Sequence, residues 1–161
     1  MNTDKTSISK DDFLKDILIL LRETFEGSPE GEISVYLDSG IGFFSTLQNV
    51  SAENASKQVN SATIAAQTEH AKFFLDRLVE FIEGRTEKVN WELSWLIETV
   101  SEEEWDILRK GLQESYENVL RCFAEVGTWN QDNIGDAIAG VSHTAYHLGA
   151  IRQIIKAVGN E

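Results

Sequence analysis

An apolar stripe at helical spacing runs through residues 101–127, SEEEWDILRKGLQESYENVLRCFAEVG. Its apolar side chains recur every three or four residues and therefore share one side of a helix. They are Trp105, Leu108, Leu112, Tyr116, Val119, Phe123 and Val126. Ser101 and Glu104 have the spacing of a capping box, and Gly127 follows the last apolar residue. The pattern predicts an amphipathic helix that buries one face against other helices.

Three further segments with helical periodicity also end before a glycine. They are residues 13–26 before Gly27, 61–83 before Gly84 and 133–158 before Gly159. Glycine is the expected stop because it takes the left-handed conformation without a Cβ clash. Asn130 or Asp132 would cap the last helix. Since no extended run alternates polar with apolar residues, we expect an all-α four-helix bundle that forms a single domain over residues 1–161.

Two connecting segments are not plain loops. Between Ser28 and Asn60, apolar residues at helical spacing favour a short extra helix, although Gly40 and Gly42 each weaken it by roughly 1 kcal/mol. These apolar residues are Leu37, Ile41, Phe44 and Leu47. Between Gly84 and Ser101 the chain is too apolar for a free linker and too long for a tight turn, since it carries Trp91, Trp95, Leu96 and Ile97. We expect a long crossover there, packed over one end of the bundle.

The charge of the chain excludes several classes of partner. Asp and Glu outnumber Lys and Arg by 27 to 14, which gives a formal net charge of -13. Such a chain should repel nucleic acid and anionic membranes. The one cysteine, Cys122, cannot form an intramolecular disulfide, and the apolar run over residues 17–21 is too short to span a bilayer. We therefore expect a reducing, cytoplasmic location without membrane or nucleic-acid partners.

The three histidines are the most specific feature for function. His143 and His147 lie four residues apart in one predicted helix, so they project from one face and can bind the same ion. His70, in another predicted helix, would complete a set of three nitrogen ligands. Catalytic zinc-type sites use three protein ligands and keep a position for water or substrate. The pattern predicts a divalent-metal site formed by His70, His143 and His147.

The histidines and the other candidate site residues also have simpler, structural interpretations. A lone histidine beside an apolar stripe is commonly a hydrogen-bonded core residue. Buried paired imidazoles, however, would be poorly satisfied without a shared ion or acidic partners. Gln67 and Asp136 are candidates for orienting a ligand or accepting a proton, or are polar residues at the end of the bundle. Cys122 could act as a nucleophile with a histidine base. It adjoins Phe123 in an apolar pattern, however, where a buried thiol is common and inert, and this second interpretation is favoured.

The tryptophans leave two alternatives open. Trp91, Trp95, Trp105 and Trp129 could form an aromatic rim for a ligand, or could pack the crossover and the helix ends. The second alternative is favoured because large aromatic side chains supply much of the buried area in a small bundle.

Two stretches of the chain resemble the DinB/YfiT-like superfamily of metal-dependent enzymes. They are residues 64–70, IAAQTEH, and residues 143–153, HTAYHLGAIRQ. The similarity extends to residues 51–53 and to Trp105. It implies a DinB-like four-helix bundle, a homodimer in many members, and a divalent ion, commonly nickel, zinc or iron. On the family pattern the metal ligands are His70, His143 and His147.

The resemblance also implies a class of function. Some family members use low-molecular-weight thiols to transfer or isomerise substrates, and others are regarded as hydrolases. We therefore expect a metal-dependent transferase or hydrolase that acts on a small electrophilic substrate, with a small thiol as a candidate co-substrate. The rival hypothesis is a non-enzymatic stress or ligand-binding protein on the same bundle, with a structural metal or none.

Overall fold

The computed structural model describes residues 9–159. Within this range all regular elements are helical, and the one β-bridge, between Val59 and Ala62, is isolated. The α-helices are α1 (Lys10–Glu26), α2 (Phe43–Leu47), α3 (Ala52–Ala55), α4 (Ile64–Ile82), α5 (Glu102–Glu125) and α6 (Gln131–Val158), and a 3-10 helix spans Trp91–Trp95. The all-α prediction is therefore confirmed for this part of the chain. The ends of the expected 1–161 domain, residues 1–8 and 160–161, lie outside the described residues.

The four long helices, α1, α4, α5 and α6, share one hydrophobic core. Helix α4 packs most extensively against α5 and α6, while α1 packs mainly on α6. The apolar stripe of α5 is buried from Trp105 to Phe123, as its spacing predicts. Because α4 lies between α5 and α6, it can place His70 against the histidines of α6. No helix among residues 9–159 is long and apolar enough to cross a membrane.

The helix starts follow the capping residues. Ser101 and Glu104 form the predicted capping box, since the Ser101 N–H donates to the Glu104 carboxylate at 2.8 Å and the Glu104 N–H donates to the Ser101 hydroxyl at 3.2 Å. At the start of α6 the cap is Asn130, whose Oδ1 accepts from the N–H of Asp132 at 2.9 Å. Of the two caps that the sequence allowed, Asn130 and Asp132, the structure therefore uses Asn130. Helix α4 begins later than predicted because Thr63 caps it.

The predicted glycine stops hold for two of the four long helices. Gly27 and Gly84 have φ angles of 82° and 99°, which favour glycine. Gly159 instead has a φ of -80°, and Val126 rather than Gly127 caps α5. The prediction of a left-handed glycine is thus wrong at these two ends, although the helices end where expected.

The segment over residues 28–60 contains two short helices, α2 and α3, and its helical part begins only after Gly42. A Cβ at Gly42 would lie 2.5 Å from the backbone nitrogen of Gly27, so these two segments of the backbone approach too closely for a side chain at Gly42. Gly42 is extended, with a φ of -157°, and caps α2. Leu37 and Ile41 precede it and are not helical, although their spacing predicted a helix.

The loop before α2 is held by a buried carboxylate. Glu23 on α1 accepts the backbone N–H groups of Val35, Tyr36 and Leu37 at 2.7 to 3.0 Å. Burial alone would raise the pKa of Glu23, but these three hydrogen bonds outweigh it and lower the pKa. The loop is thus fixed by one side chain rather than by its own secondary structure.

The crossover after α4 forms the 3-10 helix, which packs against α4. Trp91 contacts the rings of Phe74 and Phe81, and Trp95 contacts the ring of His70. The sequence predicted this segment over one end of the bundle, whereas it lies along the side of α4. It therefore covers the histidines of the candidate site.

Candidate metal centre

The three histidines predicted to bind metal lie together. The ring centroid of His70 is 4.9 Å from that of His143 and 4.6 Å from that of His147, and the two α6 rings are 4.4 Å apart. One nitrogen from each ring lies within 4.8 Å of the other two. Ligands at ~2.1 Å from a tetrahedral ion would be ~3.4 Å apart. Nitrogens at the upper limit of 4.8 Å would therefore approach each other by about 1.4 Å when an ion binds. The cluster has the size of a single-ion site.

His70 is oriented by a serine of the crossover. Its Nδ1 lies 2.6 Å from the hydroxyl of Ser94, and that hydroxyl is 2.6 Å from the carbonyl of Trp91. The hydroxyl has one proton and donates it to the carbonyl, so it accepts from Nδ1–H. The Nε2 of His70 is thereby left with its lone pair. Ser94 is completely buried, and this role could not be read from the sequence, where Ser94 is one of several polar residues of the crossover.

His147 is oriented in the same way by Gln67. The Oε1 of Gln67 lies 2.5 Å from Nδ1 of His147. An amide oxygen can only accept, so Nδ1 carries the proton and Nε2 is available as a ligand. Metal-bound histidines usually have such a partner on the second nitrogen. Of the two orienting candidates from the sequence, Gln67 reaches a histidine.

His143 has a buried nitrogen without a hydrogen-bond partner. Among residues 9–159, nothing donates to or accepts from its Nε2, and its ring stacks on Phe74 at 3.9 Å. Leaving a buried polar atom unpaired costs about 1–3 kcal/mol. The lone pair of Nε2 is the group that a metal ion would satisfy, which fits the donor set of His70 and His147.

The electrostatics keep the imidazoles neutral. Burial lowers the pKa of all three histidines, and mutual repulsion of their charged forms adds to the effect for His143 and His147. The pKa falls to about 4 for His143 and to about 3 for His147. Since metal ligation requires the neutral imidazole, the cluster is ready to bind an ion at neutral pH.

Two of the four tryptophans belong to this site and two do not. Trp95 stacks on His70 at 4.0 Å, and Trp91 stacks on Phe74 at 5.7 Å. Trp105 is completely buried, and Trp129 packs on Phe13 and Phe123. All four tryptophans thus pack the crossover or the helix ends, as the favoured alternative predicts, and a role of Trp91 and Trp95 as a rim for a ligand stays a prediction.

The other polar candidates lie elsewhere. Asp136 lines a surface cavity with Arg85, Asn130 and Asp132, and it is not part of the histidine cluster. Burial raises the pKa of the Cys122 thiol, and the nearby carboxylates of α4 and α5 raise it further. Such a thiol is a poor nucleophile, as the sequence favoured. Among residues 9–159, no thiol or carboxylate joins the three histidines of the cluster.

Comparison of the chain with protein-family models, with curated proteins and with solved structures gave no match.

The metal-free protein should lose stability as the pH falls from about 6.5 toward 4. Histidines of the unfolded chain have a pKa near ~6.5, whereas those of His143 and His147 are about 4 and about 3 in the folded chain. The unfolded state then binds more protons in this window, so the free energy of unfolding decreases with falling pH, by an amount on the order of a few kcal/mol. Denaturant unfolding at pH 7, 6 and 5 measures this decrease. The variant His143→Asn should lose stability less steeply with falling pH, while His147 keeps its contribution. An identical pH dependence in the variant would contradict the assignment to His143.

Proposed function

We propose that the protein is a metal-dependent enzyme with a DinB-like four-helix bundle, in which His70, His143 and His147 bind one divalent ion. The observation that carries this proposal is the arrangement of the ring nitrogens. Two of the rings have Nδ1 held by Ser94 and Gln67, and the third has a buried, unpartnered Nε2. A cluster of core histidines without an ion would leave these nitrogens unsatisfied.

The family resemblance points to nickel, zinc or iron as the ion, and imidazole suits each of them. When bound, it supplies Lewis acidity that can hold a thiol as the thiolate or polarise an electrophile. Ser94 and Gln67 fix the tautomers and the directions of two ligands. Trp95 and Phe74 cover the rings of His70 and His143 and limit the access of water.

The reaction we propose is a thiol-dependent transfer or a hydrolysis on a small electrophilic substrate. The thiol of Cys122 has a raised pKa and lies outside the histidine cluster, so the chain does not bring its own nucleophile to the ion. A separate low-molecular-weight thiol or water would take that role. We also propose a cytoplasmic homodimer without nucleic-acid or membrane partners, in line with the net charge of -13.

One observation favours the rival function, a ligand-binding protein with a structural metal. His70 and His147 are 7% and 3% exposed, so the proposed ligands are deeply buried. Structural sites are closed, whereas catalytic sites keep an open coordination position. Access to the ion would therefore require displacement of a covering side chain such as Trp95.

A metal-dependent assay separates the two functions. Untagged protein, depleted of metal and reloaded with nickel, zinc or iron(II), is tested with small thiols in combination with alkyl halides, epoxides and activated esters. We expect turnover with at least one ion and none in the metal-free protein. Equal turnover with and without the ion would contradict a metal enzyme. Inactivity of every loaded form across the panel would favour the ligand-binding protein.

A further inference from the structure

A cavity of about 360 Å³ lies beside the histidine cluster. Trp95 is common to both, since it lines the cavity and its ring stacks on His70 at 4.0 Å. Ala66, another lining residue, adjoins Gln67, which orients His147. The volume is in the range of small-molecule pockets. The indole of Trp95 lies between this cavity and the proposed ion, so a ligand in the cavity would reach the ion when that side chain is displaced.

Several polar side chains around the cavity are free to bind a ligand. Gln58, Ser61, Glu98 and Thr99 line it, and none has a side-chain partner among residues 9–159. Ser56 differs, because its hydroxyl is hydrogen-bonded to the backbone of Val100. The four side chains are solvent-exposed and line the same cavity as Trp95 and Ile97, so they are accessible to a ligand that enters from solvent.

The backbone at the cavity is also unusual. Asn60 and Ser61 have φ angles of 49° and 70°, in a two-residue turn closed by hydrogen bonds of 2.8 and 3.1 Å between Val59 and Ala62. A serine with positive φ is uncommon, because its Cβ is crowded there. The turn holds Ser61 at the cavity despite this cost, which is a frequent property of functional sites.

The charges select a class of ligand. Glu98 is the one charged residue among those that line the cavity, and neither lysine nor arginine lines it. The chain as a whole has a net charge of -13, which attracts cations. The indole of Trp95 can bind both a flat apolar group and an ammonium ion.

We infer that this cavity is the substrate pocket of the proposed metal enzyme, and that it binds a small molecule with a protonated amine next to a flat apolar group. Glu98 interacts with the amine, and Trp95 with Ile97 contacts the apolar group. The assignment as a substrate pocket rests on the proposed function. Binding of the amine itself does not, because none of these side chains is a proposed metal ligand.

The test uses three probes of matched shape on metal-free protein: 2-phenylethylammonium, 2-phenylethanol and 3-phenylpropanoate. NMR titration of the backbone amides gives each dissociation constant and shows whether residues 58–62 and 97–99 respond. We expect the ammonium probe to bind about threefold more tightly than the alcohol, the carboxylate to bind most weakly, and both segments to respond. Equal affinity for all three probes would overturn the proposed ligand class.

Matched variants locate the binding groups. Glu98→Gln should remove the preference for ammonium, while Glu92→Gln, an exposed carboxylate outside the cavity, should keep it. Trp95→Ala should weaken the ammonium and alcohol probes about fivefold or more. Leu96→Ala, an exposed apolar residue of the same segment that does not line the cavity, should leave both affinities unchanged. An equal effect of Glu92→Gln and Glu98→Gln, or unchanged binding in Trp95→Ala, would overturn the assignment.

A separate metal titration distinguishes failure of this inference from failure of the proposed function. An ion that binds to the three histidines, combined with no response to the ammonium probe, would overturn the amine pocket alone. Binding of the probe at residues 58–62 and 97–99 without any ion binding would overturn the metal enzyme and retain the amine site.

Discussion

The variant His143→Ala is expected to lose metal binding at micromolar concentrations and still fold. The Nε2 of His143 has no hydrogen-bond partner among the described residues, so removal of the ring leaves no protein group newly unpaired. Loss of the stack on Phe74 should cost about 1–3 kcal/mol, which a stable domain tolerates. At 100 times its dissociation constant, an ion that binds the wild-type protein stabilises it by about 2.7 kcal/mol. This stabilisation should vanish in the variant.

Thermal unfolding with and without added ion measures both effects. The control is Ser142→Ala, a neighbouring exposed residue of α6 that should retain the metal-dependent shift in unfolding temperature. A variant His143→Ala that does not fold would favour a structural metal. A folded variant that keeps the full shift would remove His143 from the site.

The variant Ser94→Ala is expected to weaken metal binding by about 10- to 100-fold, although Ser94 does not contact the ion. It removes the acceptor of His70 Nδ1–H at 2.6 Å, so the buried ring loses its fixed tautomer and direction. Ser94 is thus a positioning residue. Competition with a metal chelator of known affinity measures the dissociation constant.

Ser56→Ala is the matched control for Ser94→Ala. Ser56 also fixes the crossover, because its hydroxyl accepts the backbone N–H of Val100 at 2.9 Å, but it does not contact a histidine. Both variants should lower the free energy of unfolding by about 1 kcal/mol, and Ser94→Ala alone should weaken metal binding. Equal metal affinities in the two variants would show that Ser94 has a structural role only.

The sequence predicted the long helices and the α6 half of the site because both depend on local spacing. The stripe of α5 and the pair His143 and His147 follow directly from the helical repeat. That His70 joins this pair is a contact between distant residues, and the sequence indicated it only through the scarcity of histidine and the family resemblance. The structure places the three rings together.

Other features could not be predicted because they depend on single long-range contacts. The Ser94 hydroxyl reaches His70 across 24 residues, and the Glu23 carboxylate orders a loop that begins after its own helix has ended. Neither Ser94 nor Glu23 belongs to a sequence motif or a periodic pattern that would indicate its partner. The close approach of Gly42 to Gly27 is likewise a property of packing.

X-ray absorption spectroscopy of untagged, zinc-loaded protein tests most directly whether three histidines bind one ion. The expected spectrum contains three imidazole nitrogens at ~2.0–2.1 Å and at least one further light ligand from water or substrate, with one ion per chain. In His143→Ala this spectrum should be lost. A first shell of oxygen atoms without imidazole scattering, or an unchanged spectrum in His143→Ala, would contradict the three-histidine site.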